Sequence, residues 1–212
     1  MAKAVGGVRS AGKLAGTQGA VTKADLEKIR AGFSGMIQAL REWIKIDARE
    51  MGLTDEEATL INSYTNNLYR PLNRNILDGN TDGITKFTTE KLNAVLDKVP
   101  VFKGTVWRQV NKSNGEAFIE KLRNSKSITF ESFTSTGRED LTTNFKYENL
   151  PIGKNRQVYF KIKSKSGRDI VRLSHYFEEG EVLFKTGTRF KVNKIVKSEG
   201  KSQKYLVNLT EI

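Results

Sequence analysis

The segment Tyr176-Phe-Glu-Glu-Gly-Glu-Val-Leu-Phe184 places three carboxylates within four residues, directly before an apolar strand. Glu179 and Glu181 are two residues apart, so in an extended chain their side chains lie on one face, about 7 Å apart. Two carboxylates on one face repel each other, which costs stability unless a cation or a function compensates for it. Taken alone, the segment is also explained by a charged turn that leads into a strand.

Two earlier segments combine polar and apolar residues in a similar way. In Thr105-Val-Trp-Arg-Gln-Val110, Arg108 lies inside an apolar strand, where a charge is costly without a partner. In Ile128-Thr-Phe-Glu-Ser-Phe-Thr-Ser-Thr-Gly137, a strand ends in three hydroxyl side chains before a glycine. Singly, an arginine on the solvent face of an edge strand and a Ser/Thr turn explain these patterns.

Around these segments the sequence predicts helices first and strands later. Apolar residues recur at helical spacing from about Thr22 to Arg49, and a capping box at Thr54 and Glu57 begins a second helix. Further helices are predicted after Pro71 as far as Asp78-Gly79, over 89–97, and from a capping box at Ser113 and Glu116. Strands are predicted over Val101–Val110, Ile128–Phe133, Gln157–Ile162, Ile170–Leu173, Val182–Phe184, Arg189–Val196 and Tyr205–Leu209. This order predicts an α+β fold.

Composition excludes several classes of protein. The 212 residues contain no cysteine and one histidine, His175, which removes disulfide scaffolds, zinc fingers and cysteine nucleophiles, and nearly every histidine-based metal site. No run approaches the ~18 apolar residues of a membrane span. Residues 1–21 are predicted to be a flexible, basic, Gly-rich leader without the apolar core of a secretory signal, and 22–212 a single domain.

In their order along the chain, the arginine, the aromatic-x-Ser-Thr strand and the Glu-x-Glu segment resemble the signature of the mono-ADP-ribosyltransferases. The closer resemblance is to the clostridial binary toxins and the C3-like exoenzymes. Tyr64-Thr65…Tyr69…Asn73 also resembles the segment that lines the NAD site of that family. The resemblance covers roughly 53–212. It implies two packed antiparallel sheets with N-terminal helices on one side and NAD in the cleft between the sheets.

The resemblance also implies a role for each candidate residue of the NAD site. Arg108 would hold the NAD phosphates, and Arg156 would be a second phosphate-binding arginine. Ser135 would orient Glu181, which would bind the nicotinamide ribose and stabilise an oxocarbenium-like transition state. The remaining contacts to NAD are expected from Tyr69, Asn73 and Thr136.

Glu179 is expected to face the acceptor. In the family, Glu at this position accompanies arginine acceptors, and a carboxylate can bind and deprotonate a guanidinium. Tyr176 or Phe177 would contact the target protein. The family's usual third hydroxyl is Gly137 here, and Gln109 stands where Gly or Arg is commoner. Phe145 and Tyr147 are both candidates for stacking on nicotinamide, and His175 is interpreted as loop scaffolding.

These observations predict a monomeric enzyme that transfers ADP-ribose from NAD, without a metal, to arginine in a target protein. Such a bacterial effector, toxin or phage protein would act in the cytoplasm of a target or host cell. The formal charge of +12 favours a target with an acidic surface. One alternative is an NAD glycohydrolase of the same fold. Another is a basic nucleic-acid-binding module, since residues 154–212 hold 14 Lys and Arg against 6 acids, although no RRM, KH or helix-turn-helix signature accompanies them.

Overall fold

A long helix, α1 (Lys23–Glu50), opens the part of the chain that the computed structural model describes: residues 23–112, 115–141, 156–198 and 204–212. The predicted leader, Phe145 and Tyr147 lie outside these residues. The chain divides into two units, Met1–Leu40 and Arg41–Ile212. Among the described residues, the helices and strands after α1 lie in the second unit.

Helix α2 (Asp55–Ser63) begins at the predicted capping box. The backbone N–H of Glu57 donates to the Thr54 hydroxyl at 3.2 Å, and the backbone N–H of Thr54 donates to the Glu57 carboxylate at 3.0 Å. Two backbone donors that the helix itself leaves unpaired are thereby satisfied. Lys98 also pairs with Glu57 at 2.8 Å, and its hydrogen bond is the main reason why the pKa of that carboxyl is lowered.

The helical path does not stop at the end of α2. Tyr64–Leu68 forms a turn of π-helix, closed by the backbone N–H of Tyr69 donating to the Tyr64 carbonyl, and α3 (Tyr69–Leu77) follows directly. The prediction of a separate helix beginning after Pro71 is therefore wrong. Pro71 therefore lies inside a continuous helical path, in the third position of α3 and directly after the π-helical turn. The predicted end of this helix is confirmed, since Gly79 follows it with a φ of 71°.

Helix α4 (Gly83–Lys98) begins well before the predicted residue 89, because Asp82 caps it: the backbone N–H of Thr85 donates to the Asp82 carboxylate at 2.7 Å. The rest of the chain contains one more helix and eight strands among the described residues. Their bounds are β1 (Gly104–Lys112), α5 (Gly115–Ser125), β2 (Ser127–Phe130), β3 (Thr134–Thr136), β4 (Arg156–Ser164), β5 (Arg168–Asp169), β6 (Val182–Phe184), β7 (Thr188–Lys197) and β8 (Tyr205–Glu211).

The strands form two sheets, which confirms the predicted α+β class. The first has five strands in the order β1-β4-β8-β7-β2, and the second has three in the order β3-β6-β5. All neighbours are antiparallel except β4 and β8, which run parallel. The five-stranded sheet is therefore mixed.

Two predicted strands differ from the structure. Ile128–Phe133 is not one strand, because the chain leaves the five-stranded sheet after Phe130 and continues as β3 in the other sheet. Ile170–Leu173 is a turn, in which the backbone N–H groups of Leu173 and Ser174 both donate to the Ile170 carbonyl. Ile170 and Leu173 are buried, so their apolar character comes from packing of the turn and not from a strand.

Strand β6 lies between two hydrophobic clusters. Val182 and Phe184 pack with residues of the five-stranded sheet, whereas Leu183 packs with the helices. All three are fully buried, and burial of each such side chain stabilises the fold by about 1.5–3 kcal/mol. Because β6 is fixed on both faces, the residue before it, Glu181, has a well-defined position. None of the helices in the described ranges has the length and apolar character needed to cross a membrane.

Candidate active site

Two neighbouring cavities, together called the Glu181 cleft, bring most of the predicted site residues together. The first, of about 460 Å³, is lined by the π-helical turn, the start of α3, β3 and the loop before β6. The second, of about 320 Å³, lies on the β1 side. Both are lined by Ser135, Glu179 and Glu181; Tyr69 and Tyr176 line the first, and Arg108 and Thr136 line the second.

Glu181 is buried, and only 5% of its surface is accessible to solvent. The Ser174 hydroxyl donates to its carboxylate at 2.9 Å, and Ser135 also hydrogen-bonds to it. Burial raises the pKa of Glu181, and the charge of Glu179 raises it further, whereas the two serines and Arg108 oppose the change. The result is a carboxylate held in one orientation at an energetic cost, as is typical of functional groups.

Tyr64, on the π-helical turn, extends the hydrogen-bond network of Glu181 through Ser135. Its hydroxyl hydrogen-bonds to Ser135 and accepts from the Asn73 amide at 3.1 Å. Burial is the main reason why the pKa of Tyr64 is raised, so the hydroxyl keeps its proton. The Asn73 amide also donates to the Phe133 carbonyl at 3.0 Å, which ties α3 to the chain just before β3. Ser135 is therefore positioned from the helical side of the cleft.

Arg108 lies on the inner face of β1, on the same side as buried Val106, and not on the solvent face. Its guanidinium donates to the Ser135 carbonyl at 2.6 Å, and burial lowers its pKa. Arg108 also lines a further cavity of about 510 Å³ with Phe118 and Phe130. The Arg108 guanidinium therefore borders both the Glu181 cleft and this third cavity.

Glu179 differs from Glu181 in conformation and in exposure. It ends a 3-10 turn over Phe177–Glu179, and Gly180 follows in the left-handed region with a φ of 56°. The expectation of an extended chain through these glutamates is therefore wrong, because the 3-10 turn and the left-handed Gly180 interrupt the extended backbone. Both side chains nevertheless line the same two cavities, and Glu179 is exposed.

The loop before Glu179 presents aromatic side chains. Tyr176 is 41% exposed and Phe177 is 61% exposed. The backbone N–H of His175 donates to the Thr65 hydroxyl at 2.8 Å, and its ring meets that of Tyr176 edge-on at 4.8 Å. The hydrogen bond to Thr65 ties the loop to the π-helical turn.

Three further predicted site residues, Thr136, Asn73 and Arg156, lie in different parts of the fold. The Thr136 hydroxyl donates to the Val182 carbonyl at 2.7 Å, which joins β3 to β6. The Asn73 amide nitrogen is used within the fold, and its oxygen is buried with no hydrogen-bond partner in the described part of the chain. Arg156 is the first residue of β4, opposite Lys112, and its side chain lies outside the described residues.

Several residues of the cleft were missed by the sequence reasoning. Asn66, Asn67 and Arg70 line the larger cavity because the π-helical turn and the start of α3 form its wall. The Arg70 guanidinium lies over the Tyr69 ring and donates to its hydroxyl at 2.8 Å. Ser174 was not among the predicted site residues, and its contact with Glu181 depends on the turn that brings it there. The charge of Arg70, next to a predicted site tyrosine, could have drawn attention to it.

The fold resembles that of a known class of protein. The architecture matches known ADP-ribosyltransferases. It superposes on HopU1 of Pseudomonas syringae pv. tomato DC3000 with a TM-score of 0.63 and 20% identity, covering 80% of this chain and 82% of that one. It superposes on Vis of Vibrio splendidus, solved with agmatine, with a TM-score of 0.61 and 19% identity, covering 92% and 88%.

The sequence assigns the family within this class. The model of the ART family, NAD:arginine ADP-ribosyltransferase, matches residues 20–211, and the chain belongs to this family. A relative, the putative NAD(+)–arginine ADP-ribosyltransferase Mav of Mycobacterium avium (strain 104), is 29% identical over 140 residues, which is 66% of this chain. The match spans 16% of the length of that relative.

Proposed function

We propose that this chain transfers ADP-ribose from NAD to arginine side chains of a target protein and releases nicotinamide. The observation that carries the proposal is the pair of glutamates in one cleft, of which Glu181 is buried and held by two serines while Glu179 is exposed. One carboxylate is suited to a precise task inside the site, and the other can meet a group that arrives from solution. Membership of the NAD:arginine family supports the assignment.

The residues of the site fit NAD. Its diphosphate is anionic, and the partly buried Arg108 guanidinium offers a planar set of donors for it. Because Arg108 borders both the Glu181 cleft and the cavity beside Phe118 and Phe130, a diphosphate held there directs the two halves of the dinucleotide into separate spaces. Arg70 lines the larger cavity of the cleft and offers a second cation. Tyr69 and Thr136 border the same cleft, and Arg156 stays a prediction.

NAD supplies an ADP-ribosyl group on a glycosidic bond whose electron pair leaves with nicotinamide. Glu181 would accept a hydrogen bond from a hydroxyl of the nicotinamide ribose, and its negative charge would stabilise the positive charge that develops on that ribose. A preorganised charge does this only if it does not move, and Ser174 and Ser135 hold the carboxylate. Ser135 is itself held by Tyr64 and, through its carbonyl, by Arg108.

Glu179 would receive the acceptor. A protonated guanidinium is a poor nucleophile, so the exposed carboxylate would bind it, orient one nitrogen towards the ribose carbon and take the proton that this nitrogen loses as the new bond forms. Agmatine, which Vis binds in its solved structure, carries the same guanidine group. That ligand supports, by analogy, a test with free guanidines.

The target protein would be recognised by the exposed loop beside Glu179. Tyr176 and Phe177 are aromatic and accessible, which is typical of residues that anchor a protein contact. The formal charge of +12 favours an acidic target over a neutral one. The proposal includes action by a monomer in the cytoplasm of a target or host cell, where a cysteine-free chain has no disulfides to lose.

The test is incubation with labelled NAD in the presence of agmatine or a cell lysate, followed by mapping of the modified residue. Label on agmatine and on protein arginine is expected. Release of free ADP-ribose without label on either acceptor would favour the alternative, an NAD glycohydrolase that uses Glu181 with water as acceptor. Binding of bare DNA or RNA that weakens steeply with salt, without any turnover of NAD, would favour a nucleic-acid-binding module.

A further inference from the structure

We propose that Arg138 is a positioning residue that fixes the turn Glu179–Glu181 and thereby sets where Glu179 meets the acceptor. Arg138 directly follows Gly137 at the end of β3, and its aliphatic stem lies against Gly180. A Cβ placed on Gly180 would lie 3.4 Å from the Arg138 Cβ, 3.6 Å from its Cγ and 3.7 Å from its Cδ. The stem therefore packs against the residue that separates the two glutamates.

The guanidinium of Arg138 is held at its far end. It pairs with the carboxylate of Asp169, the last residue of β5, and lies over the Phe102 ring at 4.5 Å from the centroid. Asp169 is paired with Val182 of β6 and donates its backbone N–H to the Pro100 carbonyl. Because both partners belong to fixed parts of the chain, the stem cannot move away from Gly180 without breaking the ion pair.

Gly137 completes the support from the other side. Its N–H and C=O both hydrogen-bond to Trp107 of β1 at 2.8 Å, and a Cβ at this position would lie 3.1 Å from the Glu179 carbonyl. The glycine that replaces the family's usual serine thus allows β3 to approach the Glu179 backbone closely. Gly137 thus lies beside the Glu179 carbonyl, and the Arg138 stem lies beside Gly180.

The two glutamates depend on this support to different degrees. Glu181 has its own restraints, because Ser174 and Ser135 hold its carboxylate and its backbone carbonyl accepts from Ile170 at 3.2 Å. Glu179 is exposed, and its backbone N–H donates to Tyr176 within the 3-10 turn. Loss of the Arg138 stem should therefore displace Glu179 more than Glu181. The inference rests on the proposed function, in which Glu179 receives the acceptor.

The experiment compares Arg138→Ala with Arg138→Lys and Asp169→Asn in the full chain, and each protein is assayed for transfer to agmatine and for NAD hydrolysis. Arg138→Ala should lower transfer by about 10-fold or more, through kcat and the KM for agmatine, since misplacement by 1 Å can cost ~10²-fold. Hydrolysis should change by less than about 3-fold. Arg138→Lys keeps an aliphatic stem and a cation and should recover most of the transfer, and Asp169→Asn should show a smaller loss in the same direction.

Arg123→Ala is the matched control, because Arg123 is also a surface arginine in an ion pair, with Glu120 on α5. It should leave both activities unchanged. If transfer and hydrolysis fall in parallel with the folded fraction, or if neither falls, Arg138 does not position Glu179. If Arg138→Ala does not fold, the ratio of the two activities in Asp169→Asn decides in the same way. Failure of the wild-type chain to label agmatine would instead overturn the proposed function itself.

Discussion

Glu179 and Glu181 line the same two cavities, yet Glu181 keeps only 5% of its exposed surface and Glu179 is exposed. The left-handed Gly180 between them allows one carboxylate to be enclosed by serines and the other to face solution. Their charges interact, since Glu179 contributes to the raised pKa of Glu181. This difference in environment separates the expected effects of mutating each residue.

Glu179→Gln should reduce transfer to agmatine or protein arginine by ~10²-fold or more, because it keeps the shape and hydrogen-bonding reach of the side chain but removes the charge that holds and deprotonates a guanidinium. Hydrolysis of NAD should stay within several-fold of wild type, since water needs no such carboxylate. One preparation is assayed for free ADP-ribose and for label on the acceptor. A parallel loss of both activities would assign Glu179 to the NAD site and remove the main support for arginine as acceptor.

Glu181→Gln should reduce both transfer and hydrolysis by ~10² or more, as the loss of a preorganised charge does. Because burial raises the pKa of Glu181 in the wild type, activity should also decline on acidification at a pH above the ordinary glutamate value of about 4.3. Rates of NAD hydrolysis measured from mildly acidic to neutral pH test this. Wild-type hydrolysis by Glu181→Gln would contradict the assignment of Glu181.

The substitution Glu181→Gln should lower activity but raise the stability of the fold. A carboxyl whose pKa is raised on folding destabilises the native state when it is ionised, so Glu181→Gln should be more stable than wild type at neutral pH. The gain should shrink as the pH falls through the raised pKa, and it should vanish below the ordinary glutamate pKa of about 4.3. Urea unfolding at several pH values tests the window. A constant difference at all pH values would mean that the ionisation of Glu181 is not responsible.

Arg108→Lys should weaken NAD binding by ~1–3 kcal/mol, because lysine keeps the charge but not the planar pair of donors. The substitution also changes the contact that the guanidinium makes with the Ser135 carbonyl. Calorimetric titration with NAD measures the affinity, and Arg123→Lys, at a surface ion pair on α5, serves as the control. Unchanged affinity of Arg108→Lys would leave Arg108 with a structural role only.

Tyr64→Phe should reduce transfer and hydrolysis together by several-fold, since Ser135 loses the hydroxyl that helps to position it. The Asn73 amide keeps its bond to Phe133, so the stability cost should be about 1 kcal/mol. Thermal unfolding and the two activity assays, run on the same preparation, test this. Selective loss of transfer would contradict a role through Ser135, because Ser135 acts on Glu181 and not on the acceptor.

The sequence was informative where a local signal determines the structure. Thr54 and Glu57 predicted the start of α2, and the apolar run Val182–Phe184 predicted β6. Long-range packing decided the rest. Ile170 and Leu173 are apolar because a turn buries them, and the period of the pattern cannot distinguish such a turn from a strand. The relation of Glu179 to Glu181 depends on a positive φ at Gly180, which the presence of a glycine permits but does not require.

The π-helical turn at Tyr64–Leu68 makes this part of the chain sensitive to length. An α-helix advances by about 100° per residue, so the extra residue of a π turn sets the angular phase between α2 and α3. With this phase, Tyr64 reaches Ser135 and Leu72 reaches the core, while Asn66 and Arg70 face the cleft. Deleting one residue here would convert the π-helical turn into ordinary α-helix and would rotate α3 relative to α2. Insertions and deletions should therefore be tolerated far less in this turn than substitutions.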